Sequence, residues 1–416
     1  MEKEKGKPQI RFKGFHDPWE QRKLGECFSE RVESMPDGEL ISVTINDGIK
    51  KFSELGRHDN SNDNKSKYKK VCVGDIAYNS MRMWQGASGY SPYEGIVSPA
   101  YTVLSPNAGV FSRCIAYQFK LPQMIHTFQI NSQGITSDNW NLKYPTLSEI
   151  EIYISKSVAE QKQIAEFFTS LDHLITLHQR KCDKLANVKK SMLEKMFPKN
   201  GSNVPEIRFK GFTDPWEQRK FDEVFDCTVP NNTLSRAELS YDEGTVLNVH
   251  YGDVLIKYGS VLDVQKDDIP RIPHRCREDF NGALLQDGDV IIADTAEDET
   301  TGKACEIGNL QGSAIVSGLH TMVCRPRKRM ALGYLGYYLN SNAYHHQLLP
   351  LMQGIKVLSL SRSNIQKTSV SYPIAVKEQQ LIAYYFSQLD HLITLHQREL
   401  EKLKNLKKAC LEKMFV

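Results

Sequence analysis

A polar segment in the first half of the chain carries side chains that can recognise the bases of a nucleic acid. It follows a predicted strand at Asp75–Tyr78. The candidate residues are Asn79, Ser80, Arg82, Trp84 and Gln85. Arginine offers a fork of donors that suits guanine, whereas asparagine and glutamine pair with adenine. The alternative interpretation is that Trp84 packs in the core with Met83 while the polar neighbours form a solvated loop.

The aligned segment in the second half, residues 293–298, is acidic rather than basic. A carboxylate there can accept a hydrogen bond from cytosine, or it can simply cap a turn. Other candidates are a group of aromatic and basic residues, and a lysine that follows a Gln-Gly-Ile sequence present in both halves. The second set of candidate base-contacting residues is Tyr251, Lys257, Tyr258, Asp294, Thr295 and Lys356.

Motifs for catalysis are missing from the sequence. Gly302-Lys303 lacks the earlier glycine of a Walker motif, and no Gly-x-Gly-x-x-Gly turn is present. No Asn-Pro pair occurs, so the Asn-Pro-Pro-aromatic signature of adenine methyltransferases is missing as well. We therefore predict no catalytic residue and no cofactor bound by this chain.

One pair of histidines occurs twice on predicted helices, as His173 and His178 and again as His391 and His396. A separation of five residues turns a helix through about 500°, so the two rings point roughly 140° apart. A helical zinc pair needs a four-residue separation instead. No metal site is predicted.

Composition favours two soluble domains. The 416 residues, 40% of them hydrophobic, exceed one ordinary core. Nine cysteines without a Cys-x-x-Cys pair indicate reduced thiols. No signal peptide or membrane-spanning apolar run is evident, so we expect a cytoplasmic protein without membrane contact. The net charge of +3 permits contact with nucleic acid but does not require it.

The chain is a tandem duplication of a module of about 200 residues. Pro8–Leu24 returns as Pro205–Phe221 with three differences in 17 positions, and Glu160–Phe197 returns as Glu378–Phe415 with 25 identities in 38. Between these shared blocks the two modules correspond only in fragments. The same fold with two different surfaces is the simplest interpretation.

Each helical block carries leucines at the three-four spacing of a coiled coil. One apolar stripe on an otherwise polar helix needs a partner, and the other copy is the obvious one. We predict that the two helices pack as an antiparallel coiled coil. The predicted packing residues are Leu171, Leu174, Leu185, Val188, Leu389, Leu392, Leu403 and Leu406.

The variable interiors read as mixed structure with short strands, so the fold class expected is α+β with pseudo-two-fold duplication. Segments expected to form strands include Tyr101–Leu104, Val254–Lys257, Val290–Ala293 and Thr321–Cys324. The predicted boundaries are a first globular domain at 1–158, a helical spacer and linker at 159–204, a second globular domain at 205–376 and a C-terminal helical spacer at 377–416.

The order of these blocks resembles the specificity subunits of type I restriction-modification systems, and the resemblance spans the whole chain. It rests on the repeated Trp-Glu-Gln-Arg-Lys phrase at Trp19–Lys23 and Trp216–Lys220. Each phrase opens a variable region that closes in a Glu-Gln-x-x-Ile-Ala helix, at Glu160–Ala165 and Glu378–Ala383. The order and duplication of these motifs are more specific than any single one.

The resemblance implies two target recognition domains that each read one half of a split site on double-stranded DNA. It also implies two methyltransferase subunits as partners, with two restriction or translocase subunits as optional additions. S-adenosylmethionine, ATP and Mg would then belong to those partners. Two rival interpretations stay open: a self-contained DNA-modifying enzyme, and a scaffold protein built around the coiled coil.

Overall fold

A computed structural model describes residues 6–416 except 46–47, 57, 60, 137–138 and 200. The chain divides into two compact units. Unit 1 comprises Met1–Gln179 together with Arg398–Val416, and unit 2 comprises Arg180–Gln397. Among the described residues, no helix is long and apolar enough to cross a membrane.

The repeated phrase forms the same strand pair in both units. Glu20–Lys23 pairs antiparallel with Glu151–Ile154 in unit 1, and Glu217–Lys220 pairs antiparallel with Ser369–Tyr372 in unit 2. The tryptophan before each first strand is buried. The blocks that the duplication preserved therefore build one structural frame twice.

Unit 1 is a mixture of short strands and helices on that frame. Its four-stranded antiparallel sheet has Tyr101–Pro106 and Ile76–Asn79 at its centre. The remaining strands of unit 1 are Phe28–Glu30, Ile41–Thr44, Gly48–Lys51, Lys69–Val71, Ser88–Tyr90 and Gly95–Val97. Its short helices are Leu24–Cys27, Ser112–Gln118, Pro122–Asn131 and Tyr144–Ser148.

Unit 2 has a five-stranded sheet whose central strand, Val290–Ala293, is buried along its whole length. It pairs with Thr321–Pro326 as Ile76–Asn79 pairs with Tyr101–Pro106 in unit 1. The remaining strands of unit 2 are Phe225–Asp226, Val246–Val249, Val261–Asp263, Arg271–Ile272, Thr295–Ala296, Ala304–Gly308, Ala314–Ser317 and Leu358–Ser359. Its short helices are Phe221–Val224, Tyr251–Ile256, Tyr334–Leu339, Asn342–His345 and Arg362–Ile365. The mixed α+β class expected from the sequence is confirmed.

The predicted strand at Val254–Lys257 is wrong, because most of this segment belongs to the helix Tyr251–Ile256. The side chain of His250 accepts a hydrogen bond from the amide of Gly252 and caps the helix. A good N-cap outweighs the strand propensity of two β-branched residues in so short a segment.

Two long helices close the modules, the first at Val158–Lys195 and the second at Val376–Met414. Their segments run antiparallel within each unit. In unit 1 Phe168 stacks on Phe415, and Asp172 pairs with Lys407. In unit 2 Lys189 pairs with Asp390, and Phe197 stacks on Phe386. Along these pairs, residue numbers in the second helix fall as those in the first helix rise. This is the order that the predicted antiparallel arrangement requires.

The predicted packing residues separate into two groups. Five of them are buried in a core or pack against one, namely Leu171, Leu185, Val188, Leu389 and Leu403. The other three are exposed instead: Leu174 by 40%, Leu392 by 39% and Leu406 by 48%. The prediction was wrong for these three, because the helix ends pack into the cores of the units and the apolar stripe is not covered throughout.

Candidate nucleic-acid interface

The candidate loop of unit 1 is held at both ends. Asn79 ends a central strand, and its side chain accepts a hydrogen bond from the amide of Met81. Gly86 closes the loop with a φ of 82°, in the left-handed region that favours glycine. Its carbonyl accepts a hydrogen bond of 2.6 Å from the half-buried ammonium group of Lys120. Arg82 lies between these anchors and is exposed.

Apolar and aromatic contacts stabilise the same loop. Met83 is fully buried in the core of unit 1. Trp84 is half-buried, and its ring meets that of Trp140 edge to face at 5.2 Å. The core interpretation is therefore correct for Met83, whereas Trp84 keeps part of its surface accessible beside Gln85.

A hairpin that contains the first Gln-Gly-Ile sequence lies against this loop. Gln133 and Asn141 exchange backbone hydrogen bonds at its base, and the amide of Leu142 donates to the carbonyl of Ser80 at 2.9 Å. The segment at 79–85 and the described residues 133–136 and 139–142, far apart in sequence, thus form one surface.

Unit 2 repeats this arrangement with different side chains. Asp294 follows the central strand as Ser80 does, and its carbonyl accepts from the amide of Leu360 at 2.8 Å. The strand Thr295–Ala296 pairs with Leu358–Ser359, which belongs to the hairpin of the second Gln-Gly-Ile sequence. This hairpin carries the exposed Lys356, so three of the second candidates share one surface.

His320 joins this group, although the sequence analysis did not select it. Its ring meets that of Tyr251 edge to face at 5.3 Å. Its Nδ1 lies 3.4 Å from the carboxylate of Asp294 and 3.4 Å from the hydroxyl of Thr295. The backbone of His320 has a φ of 54°, an uncommon conformation for a residue with a side chain. The turn between two strands was the only signal in the sequence.

Two candidates lie in the core rather than at the surface. Tyr258 is only 3% exposed, and burial raises the pKa of its hydroxyl. Ser80 is 6% exposed, and its hydroxyl lies 2.8 Å from that of Thr102. Neither side chain can reach DNA in this conformation, so these predictions are corrected. Ser80 lies in the turn after the strand, where its hydroxyl contacts Thr102 and its carbonyl accepts from the amide of Leu142.

Lys257 lies at the surface but is already paired. Its ammonium group is 2.8 Å from Asp268 and lies over the ring of Tyr241 at 4.7 Å. Partial burial acts to lower the pKa of Lys257, but these two partners together outweigh it, so the pKa is raised. A phosphate would have to compete with Asp268 for this cation.

Ion pairs between a buried aspartate and a half-buried arginine fix the strands that carry both loops. Arg31 holds Asp75 in unit 1 at 2.8 Å, and Arg325 holds Asp289 in unit 2 at 2.7 Å. Each aspartate also accepts from a backbone amide, that of Cys72 and that of Gln286 respectively. Arg325 is therefore a structural residue, and the repeated Gly-Asp sequence marks the turn before the central strand.

The described residues contain no group of three or more His, Cys, Asp or Glu side chains that could hold a metal ion. Burial raises the pKa of the Cys27 thiol to about 11 and that of Cys305 to about 12. Thiols with such pKa values stay protonated near neutral pH and are poor nucleophiles. The two loop surfaces offer donors and acceptors for recognition.

Comparison with known proteins gives consistent matches over the two modules. A family model described as the type I restriction modification DNA specificity domain matches residues 16–187 and 213–405. The specificity subunit of the type I restriction enzyme MjaVIII from Methanocaldococcus jannaschii is 22% identical over 364 residues, which cover 82% of this chain and 80% of that protein.

A likeness in fold extends over the full length. The crystal structure of a type I restriction-modification S subunit from M. genitalium matches with a TM-score of 0.57 at 14% identity, covering 98% of this chain and 99% of that one. The family model matches each module separately and together covers most of the sequence. The resemblance seen in the repeated motifs is thus confirmed, and this chain belongs to the family of type I restriction modification DNA specificity domains.

Proposed function

We propose that this chain selects the DNA site of a type I restriction-modification complex, with one half-site read by each unit and the catalytic steps carried out by other subunits. One observation carries the proposal: two equivalent frames hold two chemically different loop surfaces. The shared frame sets where each loop lies, whereas the side chains on the loop set which bases the loop can contact.

The frame centres on a buried carboxylate at the start of each long helix. In unit 1 Glu160 accepts two hydrogen bonds from Arg11, at 2.6 and 2.9 Å, and one from the indole of Trp19 at 3.2 Å. In unit 2 Glu378 accepts from Arg208 at 2.7 and 2.8 Å and from the indole of Trp216 at 3.4 Å. In each unit the repeated N-terminal block, Pro8–Leu24 or Pro205–Phe221, is thus bound to the start of the repeated long helix by the same interaction.

The two surfaces on these frames differ in charge and hydrogen-bonding type. The loop of unit 1 presents Arg82 and Gln85, which suit guanine and adenine. The loop of unit 2 presents Asp294, Thr295 and His320, among which the carboxylate suits cytosine. Two unlike surfaces favour an asymmetric target with two unlike halves.

Exposed leucines on the long helices support the proposed protein partners. They occupy equivalent positions in the two repeats, with exposures of 40% for Leu174, 39% for Leu177, 39% for Leu392 and 44% for Leu395. In each repeat the two leucines lie three residues apart, on one face of the helix, and exposed apolar side chains on one helix face are typical of a protein interface. We assign it to two methyltransferase subunits, one for each repeat, with two restriction or translocase subunits as optional additions.

The partners would bring the catalytic chemistry and its cofactors. S-adenosylmethionine belongs to the methyltransferase, and ATP and Mg belong to the translocase. Changing Leu174→Ser and Leu392→Ser together should abolish co-elution with the methyltransferase in size-exclusion chromatography while the melting temperature stays unchanged. The control is Ile374→Ser, which removes a 61% exposed apolar residue outside the long helices and should leave co-elution intact.

The function is tested by adenine methylation of random-sequence DNA, with and without the methyltransferase subunit. A split, asymmetric methylated motif that appears only with both proteins is the expected result. Methylation by the chain alone would identify it as an enzyme. A chain that neither joins a methyltransferase nor retains DNA at low salt would be a scaffold.

A further inference from the structure

Each unit holds one isoleucine at the tip of its Gln-Gly-Ile hairpin that contacts almost nothing in the protein. Ile135 is 99% exposed and Ile355 is 100% exposed. They are the third residues of the two Gln-Gly-Ile sequences, so the duplication placed them at equivalent positions. A fully exposed isoleucine gives up the free energy that burial of its side chain would contribute.

Folding explains the glycine in this sequence but not the isoleucine. Gly134 and Gly354 have φ angles of 155° and 126°. A Cβ atom would lie 2.6 Å from the carbonyl oxygen of Asn139 at the first position and 1.9 Å from that of Val357 at the second. Only glycine fits there. The next side chain points into solvent and could be polar without any loss of packing.

Both tips belong to the surfaces assigned to base recognition. The first hairpin is hydrogen-bonded to the loop of Arg82 through Leu142, and the second is hydrogen-bonded to Asp294 through Leu360. Polar side chains flank each tip, with Thr136 after Ile135 and Lys356 after Ile355. An isolated apolar side chain among hydrogen-bonding residues and a cation fits a nucleic acid better than an apolar protein surface.

We propose that Ile135 and Ile355 are apolar contact points on duplex DNA, each inserted among the bases next to its half-site. Apolar side chains such as isoleucine act as wedges between base steps in several DNA-binding proteins. Because the tip stayed the same while the adjoining loops diverged, its contact is independent of base sequence. This inference rests on the proposed function and adds a common anchoring residue to each reading surface.

The experiment uses the complete complex with its methyltransferase subunits and a duplex that contains the mapped site. A 2-aminopurine placed in each half-site reports local unstacking by its fluorescence. The variants are Ile135→Ser and Ile355→Ser. Matched controls are Val73→Ser, which changes a 62% exposed residue of unit 1, and Ile374→Ser, which changes a 61% exposed residue of unit 2; both lie outside the hairpins.

Each tip variant should lose about tenfold in affinity for DNA, since an isoleucine contact is lost. It should lose the fluorescence increase in its own half-site only, and the methylated sequence should not change. The controls should behave as the unaltered chain does. Unchanged affinity, fluorescence lost equally in both halves, or fluorescence kept while affinity falls would each overturn the inference.

Co-elution and methylation separate failure of the inference from failure of the proposed function. If a tip variant does not co-elute with the methyltransferase, the isoleucine contacts protein and the inference alone is wrong. If the unaltered complex itself neither retains nor methylates DNA, the proposed function fails, and the inference fails with it.

Discussion

Glu160 is the residue on which the frame of unit 1 depends. Its side chain is 0% exposed and its partner Arg11 is 15% exposed, so water can hardly solvate either charge if the other is removed. Breaking a buried ion pair leaves an uncompensated charge. We expect Glu160→Gln to lower the free energy of unfolding of unit 1 by about 3 kcal/mol, measured by urea denaturation.

The matched control at this scale is Glu149→Gln. Glu149 pairs with Lys23, but the two side chains are 68% and 47% exposed. Exposed pairs contribute little to stability, because water solvates the charge that remains. An equal effect of both variants would mean that Glu160 is not the central residue of the frame.

Glu306 in unit 2 should make stability depend on pH. It is buried on the strand Ala304–Gly308, and burial raises its pKa to about 7 although the amide of Gly336 donates to it. Between the ordinary carboxyl pKa and pH 7 the folded chain holds a proton that the unfolded chain has released. Stability from this group therefore falls as pH rises through that window.

The variant Glu306→Gln removes this titration and keeps a carbonyl that can accept from Gly336. It should stabilise unit 2 at pH 8 by on the order of 3 kcal/mol, and the gain should shrink toward pH 4. Thermal unfolding of both proteins across this range measures the effect. A pH-independent difference between them would show that packing, not titration, governs this position.

At single positions the sequence predicted the location of a polar surface loop better than the accessibility of each side chain in or near it. The segment at 79–85 does form a surface loop with Arg82 exposed. Ser80 and Tyr258 are buried nonetheless. Each lies just after the end of a strand or helix, where the sequence pattern does not indicate which way a side chain points. The sequence did not identify His320, because its contact with Asp294 depends on the pairing of two strands that are well separated in sequence.

At the scale of elements, the long helices were the most predictable feature. Their three-four leucine pattern correctly indicated helices that pack on each other, whereas the antiparallel direction was predicted without support from the spacing. It could not separate Leu171, which is buried, from Leu174, which is 40% exposed, because both fit the same stripe. Leu171 is covered because it belongs to the core of unit 1, against which Tyr117 of the globular part also packs.

The C-terminal segment should be essential for the rest of unit 1, although the two are far apart in sequence. The amide of Ile10 donates to the carbonyl of Lys413, and the ring of Phe415 packs on Trp19. Met414 and Phe415 are buried. Loss of these contacts should remove roughly 5 kcal/mol or more of stability.

A chain that ends after Gln397 tests this dependence. Hydrogen exchange should become fast throughout unit 1, while unit 2 stays protected because its own helix segments are intact. The control is the full-length variant Leu406→Ala, which alters a 48% exposed residue of the same segment and should leave exchange in both units unchanged. Equal loss of protection in both units would contradict the division of the chain.

At the scale of the whole molecule, the duplication predicted two equivalent structures, and the frame fulfils that prediction residue by residue. Gln161 and Gln379 illustrate it, since each accepts from a backbone amide and donates to a backbone carbonyl at its helix start. The interiors were less predictable. Their strands are short, and pairing between distant segments decides their register.

Equivalent frames make the interiors exchangeable. Replacing residues 222–377 by a second copy of residues 25–159 keeps both junctions, because the strand pairs at Glu20–Lys23 and Glu217–Lys220 have the same register. Both units would then carry the loop of Arg82. Since side chains on the loops set base preference, the methylated motif should contain the same bases in its two halves.

The reciprocal exchange, with residues 222–377 in both places, should duplicate the other half. Sequencing of methylated adenines on random DNA measures both motifs. If the first exchange kept the original second half-site, the shared blocks rather than the loops would read the bases.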